Sequence, residues 1–371
     1  MNKHRAASRL AFACLLILVA VLGGTPVLAA QRGEGLPHAI SEGESAVASG
    51  PSSPEEMEAF LDVFFEAKLA ESHIPGAAIV VVQDGEVLLA KGYGFADLAR
   101  QTPVDPTKTA FRAGSVSKLF TWTAVMQVAE RGLLDLHTDV NKYLTGFQVP
   151  DTYPQPVTPA HLLTHTAGFE DRWIGVRTYN PDDLEPLSRA LADGMPKRVE
   201  APGIVHSYSN YGANLAGHLV EQVSGLSFDQ FVEENILLPL GMDGTTFRQP
   251  LPEALGANLA TGYSYRDGEL EAAPLAYAAM APASALTITP IDTAAFMIAH
   301  LHDGEYRNIR ILETATAQEM HRQQFTHDPA MPGMAYGFKE RHINGLRVIG
   351  HGGDIQTFSS QMVLVPEEDL G

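Results

Sequence analysis

One cysteine, Cys14, is all the thiol that this 371-residue chain carries, and it lies in an apolar run near the N-terminus. Nothing is left to pair with it, so disulfides, iron–sulfur clusters and thiolate zinc sites are excluded. Basic residues are scarce as well. Lys and Arg total 25 against 44 Asp and Glu, a formal net charge of −19. Such a surface repels phosphate backbones, which excludes nucleic acid as a partner. No basic amphipathic stretch suggests docking on an anionic membrane surface. No internal repeat divides the chain.

The apolar run itself, Leu10–Leu22, has about 13 residues, where roughly 20 are needed to span a bilayer. Lys3, Arg5 and Arg9 precede it, and Val27-Leu28-Ala29 follows with small residues suited to signal-peptidase cleavage. Residues 1–29 therefore read as a removable export signal rather than a membrane anchor, and the expected location is secreted or extracytoplasmic. Cleavage would remove three Lys/Arg and no Asp/Glu, along with the only cysteine. Residues 30–54 are rich in Gly, Ser, Pro and Ala without periodicity, and read as a flexible leader.

The folded part is expected over 55–371. A helix should start near Ser53-Pro54, with Phe60, Leu61, Phe64, Phe65 and Leu69 on one apolar face. A hairpin signal follows. Ala77–Val82 is a β-branched run, Asp84-Gly85 is the pair favoured in type I′ turns, and Val87–Ala90 returns. At the other end Arg341–Ile343 and Leu346–Ile349 flank Asn344-Gly345, and Gln361–Val365 supplies a further strand. Between these ends the signals are helical. Thr158 should cap a helix with Pro159 at its first position. Ser227 and Gln230 have capping-box spacing before an apolar run. The expected fold is α+β: an antiparallel sheet from about 55–114 and 285–371, with a mostly helical lobe, 115–284, inserted between. The strand Gln361–Val365 runs into Pro366-Glu-Glu-Asp-Leu-Gly371, a turn with no returning strand, so a longer protein with its membrane tether beyond residue 371 is one expectation.

Ser115-Val-Ser-Lys118 heads an apolar segment that ends at Arg131-Gly132, a helix with a glycine stop. Residues i and i+3 share a helix face, so the Ser115 and Lys118 side chains can meet. Free N–H groups in the first turn favour a developing oxyanion at Ser115. Burial would depress the lysine pKa and leave an amine able to take the serine proton. Tyr208-Ser-Asn210 follows Pro202-Gly203 and opens another helix. A tyrosine beside a lysine can serve as phenolate base or as acid, and Asn210 can reach a substrate carbonyl. His351-Gly352-Gly353 follows the Leu346–Ile349 strand, where glycines would let substrate lie along the edge and the histidine can hydrogen-bond it.

Two other pairs repeat these spacings. Tyr306 with Asn308, and His302 with Gly304, fall together in one polar stretch that reads as a surface turn. His161 and His165 have the i, i+4 spacing of a zinc pair, but Leu-Leu-Thr lies between them, with no glutamate for a metalloprotease base. No metal and no cofactor are expected.

Ser115/Lys118, Tyr208/Asn210 and His351/Gly353 in that order resemble the serine β-lactamase and penicillin-binding-protein superfamily, on its class C β-lactamase side. Thr158–Gly168 and Tyr208–Gly241 extend the resemblance, which covers about 55–371. The resemblance implies Ser115 as acylated nucleophile, Lys118 as proton acceptor, Tyr208 as base or proton shuttle, and Asn210, His351, Gly352 and Gly353 as substrate contacts. It also implies an oxyanion hole from the backbone N–H groups of Ser115 and Asp354. β-Lactamases usually carry Lys-Thr-Gly at the third motif. Histidine there is mostly neutral at pH 7 and is similar to D-aminopeptidase-like and esterase-like members. The expected activity is acyl-enzyme hydrolysis of small-molecule or peptide esters and amides. The alternatives are a true β-lactamase or DD-carboxypeptidase, and a non-catalytic module binding peptidoglycan fragments. The sequence specifies no oligomeric state.

Overall fold

The computed structural model describes residues 53–172 and 175–371. The expected signal segment, and the leader up to residue 52, lie outside the described residues. Two compact units are distinguished, 1–64 and 65–371, and all the motifs fall in the second. Helix α1 (Pro54–Glu71) begins where expected, with Ser53 Oγ accepting from the Glu56 N–H at 3.2 Å.

Strands β1 (Gly76–Gln83) and β2 (Glu86–Asp97) form the expected hairpin. Its two turn residues, Asp84 and Gly85, have φ of 51° and 77°, the left-handed pair that a type I′ turn requires. Three more antiparallel strands close the chain: β3 (Lys339–Ile343), β4 (Leu346–Ile355) and β5 (Phe358–Leu364). Asn344 and Gly345 turn β3 into β4 with φ of 52° and 80°. The last residues join the two strand groups. Leu370 bridges both Val365 and Gln83, and Gly371 exchanges backbone hydrogen bonds with Val82 at 2.9 Å each way. The turn after Val365 thus has the beginning of a return on β1.

Strand β4 corrects one expectation. Its pairing continues through His351-Gly352-Gly353 to Ile355, so the third motif lies within the strand instead of after it. At Gly350 and Gly353 neighbouring backbone occupies the side-chain space. A Cβ on Gly350 would lie 2.2 Å from the Met362 carbonyl oxygen.

Helix α2 (Ser117–Glu130) runs through the core and is buried at every position from Ser117 to Val128. It packs against α4 (Asn210–Ser224), with α3 (Pro159–Leu163) against α4 in turn. Helix α5 (Pro290–Leu301) lies on β1 and stacks Phe296 on Phe120 of α2 at 3.8 Å. Burying such a ring contributes about 2 kcal/mol. Thr158 caps α3 as expected, and His161 Nδ1 returns the bond to the Thr158 N–H at 3.2 Å. The capping box at Ser227 does not form. That hydroxyl donates to Asp229 Oδ1 at 2.6 Å, and the helix behind it, Phe228–Val232, passes into a π turn. The inserted lobe also holds a hairpin, Tyr263–Arg266 with Glu269–Ala272, turning at Asp267-Gly268. That Asp-Gly pair was a turn signal passed over beside the helical ones.

Candidate active site

Ser115 sits on a single 3₁₀ turn, Gly114–Val116, just before α2, one step earlier than the helix turn expected for it. Gly114 makes the bend possible. Its φ is +52°, and an added Cβ would lie 3.0 Å from the Asp354 backbone nitrogen. The neighbouring Ser117 is no competitor for nucleophile. It is fully buried, donating to the Gly114 carbonyl at 2.5 Å and accepting from the Leu286 N–H at 3.0 Å. Ser115 alone of the pair keeps its hydroxyl toward the motif residues.

Lys118 is wholly buried, and its Nζ meets Ser115 Oγ at 3.0 Å, Asn210 Oδ1 at 2.8 Å and the Ala283 carbonyl at 2.9 Å. The last two atoms only accept. A neutral amine has two N–H bonds and one lone pair, so satisfying both acceptors leaves the lone pair for the Ser115 hydroxyl. Burial, seconded by the charge of Lys339 and opposed by Asp171, pushes the lysine far below its ordinary pKa. In its neutral form such an amine can act as a general base on the serine hydroxyl.

Helix α4 supplies two of the constraints on that amine. Ser209 caps it, accepting from the Gly212 N–H at 3.0 Å, which sets Asn210 at its first turn. One turn on, the buried Asn214 accepts the Ala283 N–H at 2.9 Å and so aims the Ala283 carbonyl at Lys118. His165 holds the segment before the helix. Its Nδ1 accepts the Ser209 N–H at 3.2 Å and its carbonyl accepts the Ser207 N–H at 2.8 Å. The i, i+4 histidines are thus engaged at two separate backbone positions.

Tyr208 hydrogen-bonds with the Ser115 side chain and presents its ring 4.9 Å from Lys118 Nζ. The phenolate expected of it is disfavoured. Burial raises its pKa, against the Ser115 hydrogen bond and with the charges of Asp171 and Asp354. Tyr208 stands as a neutral phenol, suited to pass a proton and not to hold a negative charge.

His351 is buried, with Nδ1 2.6 Å from the Gly352 carbonyl, so that nitrogen carries the proton. Its Nε2 has no partner among the described residues. Burial first, then the charges of Lys118 and Lys339, push its pKa down to about 3. The ring is a neutral acceptor at working pH. Around it β4 and β5 alternate bonded and non-bonded pairs from the two-residue turn at Gln356-Thr357. Ile355 pairs with Phe358 next to the turn, so Asp354 and Gly352 fall on non-bonded positions. Their N–H groups point away from β5. The Asp354 nitrogen lies beside the Ser115 turn, 3.0 Å from where a Cβ on Gly114 would be. Gly353 serves that turn rather than a substrate edge: its Cβ would lie 2.1 Å from the Ala113 carbonyl and 2.9 Å from the Ser115 nitrogen.

The decoy residues form a hairpin of their own, Glu305–Tyr306 with Ile309–Arg310, and His302 Nε2 pairs with Asp369 at 3.0 Å. Lys339 went unnoticed in the sequence. It opens β3 opposite Gly350, and its Nζ lies 4.7 Å from the centre of the Tyr208 ring. No spacing rule connects it to any motif, because only strand register brings it there. Asn214 and Ala283 were missed because only the packing of α4 and the Ala283 turn against α2 brings them to Lys118.

Comparison with known proteins bears on the family and the fold. A family model described as Beta-lactamase matches residues 61–371. Penicillin-binding protein 4 of Amycolatopsis lactamdurans is 32% identical over 318 residues, covering 81% of this chain and 80% of that protein. Protein flp of Staphylococcus aureus is 31% identical over 192 residues, covering 51% of this chain but only 38% of its own length. Among solved structures, the octameric penicillin-binding protein homologue from Pyrococcus abyssi superposes with a TM-score of 0.71 at 26% identity, covering 84% of this chain and 72% of that one. A class C β-lactamase from Rhodobacter sphaeroides gives 0.68 at 22% identity, 83% and 91% covered, a likeness of fold.

Proposed function

The chain belongs to the Beta-lactamase family, whose members are serine acyl-transferase-type hydrolases, and we propose that it cleaves esters or amides through an acyl-enzyme on Ser115. The observation that carries this reading is the Lys118 amine. Its Nζ is fully buried within hydrogen-bond reach of Ser115 Oγ, Asn210 Oδ1 and the Ala283 carbonyl, and burial drives it toward the neutral form, whose lone pair can take the Ser115 proton.

In the proposed reaction Ser115 Oγ attacks the substrate carbonyl carbon while its proton passes to Lys118 Nζ. The carbonyl π electrons move to the oxygen, which the Ser115 and Asp354 N–H groups receive. On collapse the bond to the leaving oxygen or nitrogen breaks. Tyr208 protonates that atom and is reprotonated from Lys118, so the amine is neutral again. Water then attacks the acyl carbon, gives up its proton along the same path, and releases acid and free Ser115. The Asn210 amide N–H2 is the end left for substrate, since Lys118 holds its oxygen. An esterase or D-amino-acid-peptidase-like activity is favoured by the neutral His351 at the third motif. An extracytoplasmic location is proposed from residues 1–29; among the described residues no helix is long and apolar enough to cross a membrane.

The test is a fluorophosphonate probe with intact-mass and peptide analysis. One adduct at Ser115, absent from Ser115→Ala along with ester hydrolysis, is the expected result. Labelling of a different serine, or hydrolysis that survives Ser115→Ala, would refute the proposal.

A further inference from the structure

We propose that Lys339 is the fixed cation of this site, a substrate-binding residue that selects esters and amides bearing a carboxylate. The inference rests on the acyl-enzyme reading and narrows its substrate class. It starts from register. Lys339 pairs across β3–β4 with Gly350, the residue before His351, so the third motif acquires a lysine from its neighbouring strand. The flanking side chains, Phe338 and Glu340, are buried at 0% and 6% exposure, while Lys339 is half-buried with Nζ 4.7 Å from the Tyr208 ring centre. That is the ring beside which Lys118 Nζ stands on the nucleophile side.

No hydrogen bond or ion pair with a described residue holds this ammonium. The adjacent carboxylate is committed elsewhere: Glu340 accepts from Arg347 Nε at 2.8 Å, from the Gly333 N–H at 2.9 Å, and from Gln323. In a chain with 44 acidic and 25 basic side chains, a partly buried lysine has acids at hand and normally takes one, because an unpaired charge loses solvation without compensation. Lys339 has only the face of the Tyr208 ring, with its centre 4.7 Å away, and no anion. A carboxylate entering the cleft would supply the missing partner, and it could not pair with His351, whose bare Nε2 is itself an acceptor. The absence of lysine from the third motif therefore does not leave the site without a cation.

Two phenyl acetates identical but for a carboxylate or a carboxamide on the leaving ring test this. The wild-type protein should favour the carboxylate ester in kcat/KM, and added salt should erode that preference. Lys339→Met, which keeps the stem, should lower the carboxylate-to-carboxamide ratio by about tenfold or more, mainly through KM, and Lys339→Arg should restore much of it. A wild-type ratio at or below one overturns the proposal even if Lys339→Met fails to fold. So does a Lys339→Met that slows both esters by one factor, which would mark a general effect on Lys118. Ser115→Ala separates the two levels. If hydrolysis depends on Ser115 but shows no carboxylate preference, this inference alone falls; if hydrolysis is independent of Ser115, the acyl-enzyme reading falls and takes this one with it.

Discussion

Replacing Gly353 by alanine should cripple acyl transfer while leaving the chain folded, and Gly352→Ala should do far less. The two glycines are adjacent in sequence and differ only in what lies over them. A Cβ on Gly353 would fall 2.1 Å from the Ala113 carbonyl oxygen, 2.5 Å from Ser360 Oγ and 2.9 Å from the Ser115 nitrogen. Two of these are backbone atoms with no rotamer to change, so the strand must retreat from the nucleophile turn by roughly 1 Å to reach ordinary contact. The Ser360 hydroxyl that donates to Ala113 O at 2.6 Å would lose its place as well. Overpacking of this kind costs about 1–3 kcal/mol of stability. The larger effect is on rate. The same retreat carries the Asp354 N–H away from the Ser115 N–H, and losing one oxyanion donor typically costs about 10²–10³ in kcat. At Gly352 the nearest atom is Gln361 Oε1 at 3.0 Å, the end of a flexible side chain, and a loss within about tenfold is expected. Ester hydrolysis followed by kcat and KM, beside thermal melts of both variants, decides it. Wild-type kcat in Gly353→Ala, or a larger loss in Gly352→Ala, would refute the packing argument and the Asp354 donor with it.

Lys118→Met and Tyr208→Phe should each slow acylation by several orders of magnitude and should not add when combined, since both serve one proton path. A fully additive double variant in single-turnover labelling would count against that path, and Tyr306→Phe, on its separate hairpin, should be near neutral. Asn214→Leu should lower kcat more than KM, because it frees the Ala283 carbonyl that orients Lys118; an unchanged kcat in a folded Asn214→Leu would show that Ala283 holds its position without that bond. Stability should fall with acid through His351. The unfolded chain binds a proton there below its ordinary 6.5, whereas the folded chain resists until about 3. Each unit of that window lost to acid costs about 1.4 kcal/mol, so His351→Gln should melt with a shallower slope from pH 6.5 down. An identical slope in denaturant titrations across that window would contradict the neutral, buried imidazole.

What the sequence alone determined about this protein is what short-range geometry encodes. Asp84-Gly85 and Asn344-Gly345 demand left-handed turns, which sets two hairpins and the register next to each turn; a bulge shifts the β1–β2 pairing beyond Val82. Ser115 and Lys118 stand three residues apart at a helix start, so their meeting follows from the helix repeat alone. Tyr208, Asn210 and His351 were legible as motif residues in order, but their protonation states were not. Whether Tyr208 is phenol or phenolate and whether His351 is neutral depend on burial among groups from other segments of the chain, and desolvation has no trace in spacing. The tertiary structure alone buried Lys118 and brought Asn210 and Ala283 to its amine from two other segments, which pushes it toward the neutral form. It left the Asp354 N–H unpaired with β5 through the alternation of the β4–β5 ladder and set that nitrogen beside the Ser115 turn. And it placed Lys339 beside the third motif through cross-strand register, a contact that depends on which strands pair rather than on distance along the chain.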